Sequence, residues 1–185
     1  MRRFLFIILP LALALPASAK PRRTVVDYFK MLPSKRFFGE WQHPLGSRLR
    51  MEYLRSGFAP IIPADNRSVV DLKNDFLQFP GDGAQDRLDV AVFRFHGQDT
   101  VAVATASSDT YSLSFWREQN GRLKEVTKKA FPFYFPFHLS EADEVAFAVP
   151  RYRTTIRILE TGRNAQPTSK VFAHFQWRGG RFVRA

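Results

Sequence analysis

The sequence predicts a mainly β protein, α+β at the margin, made of antiparallel meanders with one short N-terminal helix. Three observations carry this. Between Leu88 and Val126, the residues Val90, Val92, Val101, Val103, Tyr111, Leu113 and Phe115 recur with period two in short runs, the pattern of a pleated, half-buried surface. The runs are broken by turn-rich segments, His96-Gly97-Gln98-Asp99, Ala106-Ser107-Ser108-Asp109 and Asn120-Gly121. Asn-Gly tolerates the positive φ values of a type I′ turn, whose twist matches that of the strands on either side. Third, the order strand, strand, Trp-ending strand, glycine turn, short strand returns between Glu144 and Arg184. There EVAFAV, TTIRIL and KVFAHFQW lead to Gly179-Gly180. Two related units are one reading; the other is that all meanders obey the same rules. Two copies are too few for a solenoid or propeller.

Residues 1–19 read as a signal peptide. Arg2 and Arg3 form a positive start, Phe4 to Leu15 an apolar run and Ala17-Ser18-Ala19 a small-residue cleavage site. Residues 20–185 then form a single antiparallel β-rich domain of 166 residues, 185 less 19. That length suits one domain with a sizeable core. The chain has no cysteine. An exported domain of this size often uses disulfides, so this one relies on its core, with 19 Phe, 5 Tyr and 3 Trp as the material. Export without cysteine points to a bacterial periplasm or the extracellular space.

Thr24 to Leu32 is the helix. Thr24 caps it, Asp27 suits its positive end, Pro33 stops it, and Val25, Tyr28, Phe29 and Leu32 share one face. That stripe is expected to dock on the sheet. Residues 34–63 are irregular, with a strand at Arg48 to Leu54 as one reading and a helix as the other. Val69 to Phe79 is a hairpin turning near Lys73-Asn74. The loop from Pro80 to Asp86 follows. Asp82, Asp86 and Asp89 invite a calcium reading, but their spacing departs from the calcium-loop pattern and a solvated turn serves as well. Phe131-Pro132-Phe133-Tyr134-Phe135-Pro136-Phe137 joins the two meanders. It is expected chiefly to lay phenylalanine rings on the core. The competing reading is an exposed aromatic platform at Phe133, Tyr134 and Phe135 for a sugar or lipid.

The sequence contains none of the common nucleophile, metal or nucleotide-binding motifs. Absence of cysteine excludes thiol catalysis. His43, His96, His138 and His174 show no ligand spacing, and His174 lies on the strand face opposite Val171, Ala173, Phe175 and Trp177. No catalytic residue, metal or cofactor is assigned. The balance of charge is more informative. The chain carries 28 Lys+Arg against 17 Asp+Glu, a formal +11. Loss of Arg2 and Arg3 would leave 26 against 17, or +9. Such a surface attracts anionic lipid, lipopolysaccharide or acidic polysaccharide, and export places nucleic acid last among partners. The candidate contacts are Arg151, Arg153, Arg157, Arg178, Arg181 and Arg184, all in the second meander. The expectation is an exported, non-enzymatic binding protein. The alternatives are a small hydrolase acting on envelope polysaccharide or peptide, and a structural module pairing through a sheet edge.

Overall fold

A computed structural model describes residues 22–33, 69–79, 87–106, 111–133, 145–161 and 167–185. The signal segment, the stretch Arg48 to Leu54, the loop positions Asp82 and Asp86, the histidines His43 and His138, and Tyr134 and Phe135 lie outside these residues.

The described chain is two antiparallel meanders and two helices. Strands β1 (Val69–Asp71), β2 (Phe76–Phe79), β3 (Arg87–Phe95), β4 (Gln98–Ala106), β5 (Tyr111–Gln119) and β6 (Arg122–Glu125) form a six-stranded sheet in chain order. Strands β7 (Val145–Ala148), β8 (Thr155–Thr161), β9 (Pro167–Arg178) and β10 (Arg181–Arg184) form a four-stranded sheet, also in chain order. Helix α1 (Val25–Met31) covers one face of the larger sheet. A single-turn helix α2 (Thr127–Ala130) follows β6.

The period-two pattern divides the larger sheet into two buried faces. Leu77, Val90, Val92, Val101, Val103 and Trp116 point to α1 and pack with Val25, Tyr28, Phe29 and Leu32. The helical stripe docks on the sheet as its spacing predicts. Thr24 and Asp27 form a reciprocal capping box, with Thr24 N donating to Asp27 Oδ2 at 2.8 Å. That N–H, more than any other contact, holds the Asp27 carboxyl below its usual range. On the other face Phe76, Ala91, Phe93, Ala102, Ala104 and Phe115 meet the smaller sheet, which contributes Ile156, Ile158, Ala173, Phe175, Trp177 and Phe182. Phe131 and Phe133 close this core, with Phe133 half-buried and its ring 4.6 Å from that of Phe175. These two rings of the Phe-Pro segment therefore line the core.

Two meanders fit the reading of two related units, but their tryptophans are not equivalent. Trp116 pairs with Glu125 at the end of β6 and faces α1. Trp177 pairs with Phe182 near the start of β10 and faces the other sheet. The sequence reading left α2 unassigned. Without a side-chain cap on its Val126 end, the helix is held tertiarily. Thr127 Oγ1 accepts from Phe115 N at 3.0 Å and donates to Glu125 at 2.8 Å, and Ala130 is buried.

The turns are tighter than the spacing suggests. His96-Gly97 alone links β3 to β4, because His96 takes a left-handed φ of 46° and frees Gln98 and Asp99 to continue the ladder. Asn120-Gly121 and Gly179-Gly180 adopt positive φ at both central residues, as a type I′ turn requires. The last two turns differ in one respect. A Cβ at Gly121 would meet open space, whereas one at Gly180 would lie 3.2 Å from the Phe95 ring. Both positions have left-handed φ, so Gly180→Val is expected to lose about 1–3 kcal/mol from backbone strain. Gly121→Val should lose less, having strain without the ring contact. Urea denaturation of the two variants measures the order.

Candidate functional site

Alternation also decides what happens where the stripes end. On the α1 face the apolar series Val90-Val92 continues to Arg94, Val103-Val101 to Asp99, and Trp116 to Glu118. Three adjacent strands thus present charged residues at the same end of the same face. Arg94 and Asp99 are direct cross-strand partners. The residues just before α1 supply Arg22 and Arg23, and the middle of the helix supplies Tyr28.

Arg94 is the centre of the network. Its Nε and Nη2 donate to both oxygens of Asp75 at 2.8 and 2.7 Å, Nη1 bonds Asp99, and Nη2 also donates to the Arg23 carbonyl at 2.9 Å. Burial would lower its pKa, but hydrogen bonds and charge from Asp75 and Asp99 outweigh that and raise it. Asp75 is presented from the β1–β2 turn with φ 52°. Arg22 adds a second contact to Asp75 at 3.0 Å. Arg23 holds Glu118 with two bonds, 2.7 and 3.0 Å. The Tyr28 hydroxyl donates to Asp99 at 2.9 Å. Such bidentate, charge-assisted bonds fix orientation as well as adding energy. With Phe95, His96 and Gly97, these groups other than Asp75 line an open cleft of about 640 Å³. Among the described residues no group of three metal-ligating side chains is placed to hold a metal.

The Tyr28 phenol is pushed well above its usual range, first by burial and then by its bond to Asp99. A raised folded pKa favours the protonated form. Stability from this group is therefore complete below the unfolded value of 10.0 and declines as pH rises past it. Urea midpoints measured from pH 9 upward are expected to fall more steeply in the wild type than in Tyr28→Phe, which has no phenol to ionise. Parallel curves would show that this hydroxyl is not linked to folding.

The arginines singled out from the sequence are distributed over three places. Arg157, Arg178 and Arg181 share the outer face of the smaller sheet. The register puts Arg178 directly opposite Arg181, and Arg157 opposite the exposed His174, while Ile156, Phe175, Trp177 and Phe182 face inward. Among the described residues these three arginines have no carboxylate partner; Arg178 bonds only the Gln176 side chain, at 3.0 and 2.6 Å. Arg184 is exposed but has the opposite parity, level with Phe175 at the end of β10. Arg151 and Arg153 precede β8. Arg151 is paired with Asp71 at 2.8 Å and lies over the Tyr152 ring, and exposed Arg153 holds a left-handed φ of 73°. Asp89, the described member of the acidic loop series, is buried and held by Arg87 and Gln78.

Sequence reading missed the Arg94 network. The available signal was the parity of Arg94, Asp99 and Glu118 with the valine stripes. Their partners Asp75 and Arg23 are remote in sequence, and nothing local announces them. No family model, no curated protein and no solved structure matches this chain.

Proposed function

We propose that the protein is an exported, non-enzymatic binding protein whose basic outer face takes an anionic component of the cell envelope. The observation that supports this is the contrast between two sets of arginines. Arg22, Arg23, Arg87, Arg94 and Arg151 each pair with a carboxylate. Arg157, Arg178 and Arg181 do not among the described residues, and the β8–β10 register brings these three to one exposed face. Arginine in such a row offers forked donors to successive phosphate or carboxylate groups. The formal charge of +9 that remains without residues 1–19, 26 Lys+Arg against 17 Asp+Glu, steers polyanions towards it. The signal-like residues 1–19 are the basis for export.

The test compares polygalacturonate with neutral dextran across a salt series, for the wild type and Arg178→Ala/Arg181→Ala. Binding to the polyanion alone, weakening as salt rises, is expected. The double variant should bind about tenfold more weakly, the effect of about 1.4 kcal/mol in lost charge-assisted contacts. Equal binding to both polymers, or an unaffected double variant, would reject this face as the site.

A further inference from the structure

We infer that the end of the molecule where the β1–β2, β3–β4, β7–β8 and β9–β10 connections meet docks on the surface of an anionic phospholipid bilayer. This rests on the binding role proposed above and specifies its partner. Contacts tie the four connections together. Asp75 of the first holds Arg94, near the end of β3, at 2.7 Å. Phe95 follows Arg94, and its ring lies so close to Gly180 that a Cβ there would sit 3.2 Å away. Trp177 N, just before that glycine turn, donates to the Thr154 carbonyl at 2.9 Å. Arg151, in the same bend as Thr154, returns to the first connection by donating to Asp71 at 2.8 Å.

The exposed large apolar side chains of the described residues all lie at this end. They are Leu72, Phe95 and Tyr152, which are 56%, 39% and 60% exposed. Leu72 follows β1, Phe95 ends β3 and Tyr152 precedes β8. Single exposed apolar residues need no explanation, whereas three gathered at one end mark an interaction surface. They are separate tips, not the walls of a groove. A fluid apolar phase can take such tips without a pocket for each. Charge at the same end selects an anionic surface. Its carboxylates are already bonded, Asp71 by Arg151, and Asp75 and Asp99 by Arg94. Lys73 beside Leu72, Arg153 beside Tyr152, and Arg178 and Arg181 on either side of the glycine turn have no carboxylate partner among the described residues. Tyrosine and leucine can then enter the headgroup boundary while the cations stay at the level of the phosphates. Each cation near that surface adds to the attraction.

The experiment uses the protein without residues 1–19, whose apolar run would itself enter lipid. Co-sedimentation is measured with phosphatidylcholine vesicles that contain or lack phosphatidylglycerol. Calorimetry with polygalacturonate supplies a polyanion that has no apolar phase. Binding to the phosphatidylglycerol vesicles alone is expected. Leu72→Ser/Tyr152→Ser should weaken it about tenfold and leave polygalacturonate binding unchanged. Both side chains are exposed, so the fold should survive, which thermal unfolding checks. The chain has no cysteine. Leu72→Cys, Tyr152→Cys and Ser169→Cys, the last at the far end of β9, can therefore each carry a single polarity-sensitive dye. The first two should shift to the blue on phosphatidylglycerol vesicles and the third should not. Three results would each overturn the docking end: no binding to these vesicles, unweakened binding in Leu72→Ser/Tyr152→Ser, or a dye response at Ser169 equal to the other two. If Arg178→Ala/Arg181→Ala still weakens polygalacturonate binding in that case, the basic-face reading stands without it. Protein that binds neither vesicles nor polygalacturonate would overturn both.

Discussion

Phe182→Ala is expected to lose about 3–5 kcal/mol, the range for removing a fully buried aromatic side chain. Phe182 belongs to the four-residue strand β10 near the C-terminus, where a substitution would ordinarily be mild. Its burial argues otherwise, since no part of it reaches solvent. Its ring contacts those of Phe93 at 4.9 Å, Phe115 at 5.2 Å, Phe131 at 5.9 Å and Trp177 at 5.1 Å. These partners come from β3, β5, the segment after α2, and β9. A single deletion therefore opens a cavity where both sheets and the connector meet. The cavity cannot collapse without moving two sheets, which places the cost high in the range. Denaturant unfolding measures it. A loss under 1 kcal/mol would mean that the smaller sheet contributes little to the common core. Phe182→Leu, which keeps most of the volume, should recover much of the stability.

Arg94→Met is the second large effect, expected at about 2–4 kcal/mol. Methionine keeps the length of the stem but removes every donor. Asp75 and Asp99, both mostly withdrawn from solvent, would keep their charge without their main partner. The Arg23 carbonyl would lose its bond as well. Most of the cost lies in those carboxylates, left with only Arg22 and the Tyr28 hydroxyl, rather than in the value of the ion pairs themselves. Arg94→Met/Asp75→Asn/Asp99→Asn should therefore be more stable than Arg94→Met alone. Stability that falls further with each added substitution would contradict this account. Arg94→Lys should not rescue fully, because one ammonium cannot span two oxygens of Asp75 and reach Asp99 and Arg23 together. Loosening of α1 should accompany the loss, reported as faster amide exchange in residues 25–31.

These two residues show what alternation in sequence can and cannot convey. Val90, Val92, Val101 and Val103 announced strands, and Asn120-Gly121 announced a turn. Thr24, Asp27 and the stripe from Val25 to Leu32 announced a capped helix with a face to bury. All of these depend on residues a few positions apart, whose geometry is set by local sterics and hydrogen bonding. The same valines did not reveal that the opposite face, with Ala91, Phe93, Ala102 and Ala104, is buried as well. Alanines at those positions read as neutral until a second sheet is laid over them. The short helix α2 was likewise invisible, since it is stabilised by Phe115 and Glu125 rather than by a cap of its own.

The candidate sites divide along the same line. Local order in the chain marked the arginines near the C-terminal hairpin, and the turn at Gly179-Gly180 made Arg178 and Arg181 neighbours. Register across β8 and β9 then decided that Arg157 joins them and that Arg184 does not, because one residue of shift moves a side chain to the other face. Arg151 could not be told from the others until Asp71 was seen beside it. For the cleft, sequence determined only the parity of Arg94, Asp99 and Glu118. The meeting of Arg23 with Glu118, of Tyr28 with Asp99 and of Gly180 with Phe95 required the finished packing of helix and sheets. Composition and short-range pattern thus determined the β class, the capped helix and the basic charge, because each follows from chemistry within a turn or two of chain. Tertiary structure decided which arginines are neutralised and which remain exposed, because that depends on carboxylates brought close only when distant strands pair.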